Sequence, residues 1–245
     1  AYATFTGPNE FADYMLLVGS VAVALATTTT GAARHAVRAL AVACALALVA
    51  SHSRGAWLGA VVAGLWTLWP QRRRLLGLAG GLSIAAIGGL LALAPHLDHV
   101  RWNQWTGGRL YLWLSGAAML VTHPLAGIGM GRFYAHEGAY APPWLVPRAW
   151  YEHAHSLYLQ VGAELGLLGL AALAVLLWTL RTPLLQARSP LEKGLAAGLV
   201  AVLVHQSVDY TLQVVPLALL VCLVAGWLVA STSGSAVPDE AAAIG

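Results

Sequence analysis

Apolar stretches fill most of the chain, and polar residues gather in the joints between them. A membrane-crossing helix needs about 20 mostly apolar residues. Seven stretches meet or approach that length: residues 11–30, 36–50, 54–69, 75–94, 156–180, 192–208 and 212–230. An eighth, 110–122, has the period of an amphipathic helix but is too short to cross, which predicts a helix lying at the membrane interface. The pattern therefore predicts an all-α polytopic membrane protein with about seven transmembrane helices, a short interfacial helix and one large extramembrane segment, 95–155. The tail 231–245, "STSGSAVPDEAAAIG", is small and polar and is expected to be a disordered cytoplasmic end. No repeat of fixed period is visible.

Composition supports this class. Hydrophobic residues make up 59% of the 245 and charged residues only 9%, against about 25% charged in soluble domains, and mean hydropathy is +0.70. Membrane lipid is thus the first partner, and nothing calls for a nucleic acid. Cys44 and Cys222 fall inside predicted spans, where thiols behave as small apolar groups and suggest no disulfide framework. The opening "AYATFTGPNE" has no initiator Met and no basic stretch before a short apolar run. The expectation is the later part of a longer protein, without a signal peptide.

Charge sets an orientation. The joints "GAARHAVR", "QRRR" and "RTPLLQARSPLEK" carry Arg34, Arg38, Arg72, Arg73, Arg74, Arg181, Arg188 and Lys193, and the positive-inside rule places them in the cytoplasm. With seven spans all three fall on one side. The segment 95–155 and the joints "SHSR" and "HQSVDY" then lie outside, together with every histidine except His35. Such segregation points to one extracytoplasmic site. The third span begins there with "SHSRG", where Ser51 or Ser53 can cap the helix and Arg54 stands beside the cap. An arginine at a span end is costly against lipid, so Arg54 is expected to face a cavity or a partner. With Arg109 in "TGGRLYLW" it could grip a phosphate or diphosphate bidentately.

The stretch "YEHAHSLYLQVGAELGLLG", 151–169, carries the strongest chemistry. His153 and His155 are two apart, a spacing that puts them on opposite faces of a strand and about 200° apart on a helix, which is poor for sharing a metal. No HExxH or CxxC accompanies them, and no metal is expected. A neutral histidine at a helix head is suited to general-base chemistry near neutral pH. Ser156 is placed to cap the following span. Glu164, nine residues past His155 and about opposite it on a helix, reads as a support residue that must be paired, protonated or hydrogen-bonded. Gly166 and Gly169 leave room for close helix approach. His205 and Asp209, four apart at a helix end, are expected to pair. "GIGMGRF", 127–133, reads as a glycine-rich turn, since it lacks a P-loop lysine and a preceding strand. Segment 95–155 contains no DxD or ExD pair to hold a divalent cation on a diphosphate, so arginines would have to neutralise one.

These motifs together carry a resemblance. "HSLYLQVGAELGLLG" fits the pattern H-[NSQ]-x9-G-x-x-G, and "GPNEFADYMLL", "SHSRGAWLG", "GGRLYLW", "HPLAGIGMGRF" and "HQSVDYTLQVVP" follow in matching order. The chain resembles the O-antigen ligase and O-antigen polymerase family of bacterial membrane proteins over about residues 5–230, and ligases most closely. The resemblance implies a ligase-like membrane domain over 1–230 with a periplasmic loop 95–155. It also implies about five missing N-terminal spans, because family members have about twelve. It implies a metal-independent inverting transfer of a glycan from an undecaprenyl-diphosphate donor to a lipid A-core or other glycan acceptor. The reaction would occur at the periplasmic face of the inner membrane, with no cofactor. Carried over by motif, Arg54 and Arg109 would hold the diphosphate and His155 would activate the acceptor, with Ser156, Glu164, Gly166, Gly169 and Asp209 in support.

Two rivals remain at this stage. A polymerase or a protein O-oligosaccharyltransferase of the same family shares the donor and differs in acceptor. A transporter or lipid flippase would need a polar route across the membrane, yet outside Glu164 the spans carry almost no ionisable residue at mid-depth, which favours a one-sided site.

Overall fold

A computed structural model describes residues 5, 7–68, 106, 108–144 and 152–234. Among the described residues there are eight α-helices and no strand: α1 (Pro8–Leu25), α2 (Gly31–Ala50), α3 (Arg54–Leu68), α4 (Arg109–Thr122), α5 (Phe133–Tyr140), α6 (Leu157–Gln186), α7 (Pro190–His205) and α8 (Val215–Gly234). A 3-10 turn, Thr211–Gln213, precedes α8. The expected span 75–94, the "QRRR" joint, His96, His99, Arg101, Arg148 and the tail from 235 lie outside these residues. Three described helices are long and apolar enough to cross a membrane: α2, α6 and, over Val215–Thr232, α8. The chain is therefore a membrane protein, all-helical over the described residues. α8 continues through Gly234, four residues into the stretch expected to be disordered.

The chain divides into two compact units. The first comprises residues 1–70, 177–204 and 213–245. Its most enclosed helix is α7, where Ala196, Ala197, Leu199, Val200, Ala201 and Val202 are all buried. Glycines allow this. A Cβ on Gly59 of α3 would lie 2.5 Å from the Ala201 carbonyl oxygen, one on Gly194 2.7 Å from the Val21 Cα, and one on Gly198 3.0 Å from the Leu17 Cα. Backbones meet where side chains are absent, the usual solution for helices that gain little from hydrophobic contrast inside a bilayer. The α6–α7 joint is closed by a capping box. Ser189 Oγ accepts from the Glu192 N–H (3.2 Å), while Glu192 Oε2 accepts from the N–H groups of Ser189 (3.0 Å) and Arg188 (2.7 Å).

The second unit comprises 71–176 and 205–212. Its core is α4, with Leu110, Tyr111, Leu112, Leu114 and Met119 packed with Phe133 and Ala163. The helix expected at the membrane interface over 110–122 is packed within protein on most of its surface, Ser115, Gly116 and Ala117 making the remaining face small enough to be covered as well.

α6 is broken. Gly166 has φ 63 and ψ −156, a conformation essentially restricted to glycine. The bonds that Leu167 and Leu168 would donate to Ala163 and Glu164 across this point are exchanged for bonds with the loop 123–132. Leu167 N–H donates to the Pro124 carbonyl (2.7 Å) and Leu168 N–H to that of Leu125 (3.2 Å). In return the Ile128 and Gly129 N–H groups donate to the carbonyls of Ala163 and Glu164 (both 2.9 Å). All four backbone groups opened by the break are satisfied by one loop, as buried or membrane-embedded backbone requires. Gly127, Gly129 and Gly131 all have positive φ, so "GIGMGRF" is a glycine-rich turn whose task is to fit this joint.

Candidate active site

His155 stands just before α6, and the chain there is held at several points. Ser156 caps the helix, its carbonyl accepting from Gln160 N–H (2.8 Å) and its Oγ from Leu159 N–H (3.4 Å). Gln160 Oε1 reaches back to the Ala154 N–H (2.7 Å). The Leu157 N–H, one of the donors that a helix start leaves over, is shared between the carbonyls of Gln206 (2.9 Å) and Asp209 (3.2 Å). His155 itself has φ 47, uncommon for a side chain of its size, and Trp113 Nε1–H donates to its carbonyl (3.2 Å). A strained backbone so pinned belongs to a residue whose direction matters.

That direction is toward Asp209. His155 Nδ1 lies 2.9 Å from Asp209 Oδ1, and Arg109 Nη2 donates to Asp209 Oδ2 at 2.7 Å. Tyr210 N–H donates to Oδ1 as well (2.8 Å). Asp209 keeps only 5% of its side chain exposed, against 31% for His155 and 26% for Arg109. The carboxylate is behind, and the imidazole and guanidinium stand in front. Burial pushes the Asp209 carboxyl upward, but the hydrogen bond from His155, then the charges of Arg109 and His155 and the Tyr210 N–H, outweigh it, and its pKa is lowered. An ionised carboxylate only accepts, so in the neutral ring Nδ1 carries the proton and Nε2 the lone pair.

The turn that presents Asp209 is shaped by Gln206. This fully buried side chain donates from Nε2 to Thr211 Oγ1 (2.7 Å) and accepts at Oε1 from the N–H groups of Thr211 (3.1 Å) and Leu212 (3.4 Å). Burial, and secondarily the charge of Glu164, pushes the neighbouring Tyr210 phenol up, which keeps it a proton donor. His153 packs edge-on against Tyr210, with ring centroids 5.3 Å apart.

The lowered pKa has a testable sign. The stabilisation that Asp209 draws from its partners is complete above the carboxyl's ordinary value of 3.8 and is lost as pH falls through the lower folded value. The share of the stability gap between the wild type and Asp209→Asn that comes from the ionised carboxylate should therefore persist down to about pH 5 and shrink only below about 4, as read by thermal unfolding in detergent. A gap that closes by pH 5 would contradict the assigned partners.

The other expected residues fall as follows. Asp209 was expected to pair with His205; its two carboxylate oxygens engage His155 and Arg109, and its backbone N–H donates to the His205 carbonyl (3.1 Å). Glu164 lies apart from that cluster's bonds and caps α5, accepting from the Phe133 N–H at 3.0 Å. A carboxylate at a helix N-terminus is well placed. Gly166 admits the loop backbone at Leu125 and Ala126 rather than another helix, and Gly169 is crowded by Leu165 and Val161 of its own helix. Arg54 opens α3 in the first unit, behind a turn in which His52 has φ 56 and Ser53 Oγ caps the helix through the Ala56 N–H (3.4 Å). Sequence reasoning missed Gln206, Gln160 and Trp113, and gave Asp209 a lesser part. Only "HQSVDY", a polar joint at a helix end, signalled two of the four.

In this helical protein a histidine, a buried carboxylate and an arginine thus form one chain of contacts. Residues 39–174 match the O-antigen ligase family, more than half of the chain, and the protein is a member of it. Membership implies a membrane glycosyltransferase-like enzyme and suggests a lipid-linked glycan and a glycan acceptor as its partners. A search of curated proteins finds no match.

Proposed function

We propose that this chain carries the active site of an O-antigen ligase-type transferase, moving a glycan from an undecaprenyl-diphosphate donor to a sugar hydroxyl on the periplasmic face of the inner membrane. The observation that supports it most is the His155–Asp209–Arg109 chain of contacts. In this reading Nε2 of His155 takes the proton from the acceptor hydroxyl as that oxygen bonds to the anomeric carbon. The bond from that carbon to the diphosphate breaks on the opposite side, inverting the centre, and the diphosphate leaves with the electron pair. Asp209 fixes the imidazole tautomer and balances the imidazolium that forms, the part played by the acid in a serine-protease triad. Arg109 gives one donor to Asp209 and has others to offer a phosphate oxygen. Arg54 is the second diphosphate ligand on the strength of its motif.

Deleting the gene and analysing lipopolysaccharide and lipid-linked glycan by mass tests this reading. Accumulated lipid-linked polymer supports a ligase. Accumulated single repeat units would mark a polymerase, and no change in glycan would return the transporter reading.

Arg54→Lys and Arg109→Lys should each lose most activity although the charge is kept, since lysine lacks the planar fork that matches two oxygens. Transfer assays showing both variants near the wild-type rate would reject a bidentate clamp. The orientation has its own check. In a background without Cys44 and Cys222, a cysteine at Gln186 should resist an impermeant thiol reagent applied from outside and one at Ala139 should react. Reversed labelling would place the site on the cytoplasmic face.

A further inference from the structure

The break at Gly166 coincides with a change in what surrounds α6. No residue from Leu157 to Gly166 is exposed, whereas Leu167, Leu168, Ala171, Ala172, Val175 and Leu176 all are. From Leu167 to the end at Gln186 the helix is about 30 Å long at 1.5 Å per residue, the thickness of a hydrocarbon core. The loop seated in the break is exposed and apolar at the same level. Met130 is 81% exposed, Val121 70%, Leu125 69%, Leu168 67% and Leu167 53%. Leu125 and Leu168 are adjacent, joined by a backbone hydrogen bond. No carboxylate occurs anywhere between Leu110 and His136, and the ionisable groups bordering the patch are the exposed His123 and Arg132.

We propose that this patch, formed by the 121–130 segment and Leu167–Leu168, is a membrane-seating surface that inserts among the acyl chains of the leaflet nearest His155. Its occupant is lipid because the patch continues the exposed apolar face of a helix long enough to cross the bilayer. Its border, moreover, offers the exposed Arg132 guanidinium and no exposed carboxylate to phosphate headgroups. The expected span 156–180 is then displaced: the crossing part of α6 is 167–186, and 157–165 stands above the hydrocarbon within protein. This explains why Glu164 can be a buried carboxylate there. It also sets a height. The nine helical residues Leu157–Leu165 between His155 and the break are about 14 Å long, more than the roughly 5–8 Å of headgroups. A group joined through a diphosphate to a chain in the bilayer reaches that level.

Met130→Cys and Leu125→Cys, made singly in the full chain lacking Cys44 and Cys222, labelled with an environment-sensitive fluorophore and reconstituted into phosphatidylcholine–phosphatidylglycerol vesicles, test the proposal. Both labels should lose most of their emission to lipids carrying a nitroxide near the glycerol end of the acyl chain, and little to aqueous iodide. A label at Glu152→Cys, a highly exposed position beside the site, should behave in the opposite way. Quenching of the 125 and 130 labels by iodide would show that the patch faces water. Quenching by neither reagent would show that protein covers it, and lipid quenching at 152 would remove the assigned height; each overturns the proposal. No transfer step enters the measurement, so its outcome is independent of the proposed reaction.

Discussion

His155→Ala should lower glycan transfer by about 100-fold or more, the usual scale for losing a positioned proton acceptor, while His153→Ala should be far milder. The two histidines are separated by one residue and differ in what they touch. His155 is bonded to a buried, ionised carboxylate that leaves Nε2 as the proton-accepting nitrogen of the neutral ring. His153 packs its ring against Tyr210 and lies 3.8 Å from the exposed carboxylate of Glu152. Asp209→Asn should approach the loss seen for His155→Ala with little change in acceptor KM, because the amide no longer imposes the tautomer or balances the imidazolium. A chelator should leave the wild-type rate unchanged, since arginines are the groups assigned to the leaving diphosphate. Equal losses from both histidine variants, with chelator-sensitive activity restored by zinc, would transfer this stretch to metal chemistry.

The parts of this protein that were legible in its sequence are those written in runs or in single-residue chemistry. α2 and α3 start or end within a few residues of their expected bounds because apolar length and the Ser51–Arg54 punctuation are local signals. The capping role of Ser156 was legible for the same reason. Asp209 was harder: its partners are 54 and 100 residues away, while the pattern of spacing offered His205 four residues off. The break in α6 was not legible at all. Hydropathy runs evenly through "GAELGLLGLAALAVLL", so a window sees one helix, and the helix opens only because the loop "PLAGIGMG" supplies four backbone partners from elsewhere in the chain. The direction of error is instructive. Glycines in an apolar helix suggest approach by another helix, whereas Gly166 admits a loop.

Gly166→Ala should be among the most damaging single-methyl additions in the chain. The residue occupies a region of φ/ψ space that costs an L-amino acid about 1–3 kcal/mol. The added Cβ would sit 2.5 Å from the carbonyl carbon and oxygen of Leu125 and 2.7 Å from the Ala126 nitrogen. These are backbone atoms of a loop pinned by four hydrogen bonds, so relief means breaking bonds worth about 1 kcal/mol each. The expected loss is about 3 kcal/mol or more, and Tm in detergent should fall by roughly 10 °C. Gly127→Ala, with positive φ and a Cβ against the Glu164 backbone, should behave alike. Gly131→Ala is the control. It has φ +70 but nothing within 4 Å of its Cβ, so it keeps only the strain of the left-handed region, about 1–2 kcal/mol, and Gly131→Asn should relieve part of that. If Gly166→Ala unfolds no earlier than Gly131→Ala, the loop is not seated in the break. The effect should also reach the site. The loop leaves α4, which begins with Arg109, and is hydrogen-bonded into the helix that begins beside His155. Any Gly166→Ala protein that remains folded should therefore lose transfer activity in excess of its folded fraction, through a displaced Arg109–Asp209–His155 contact.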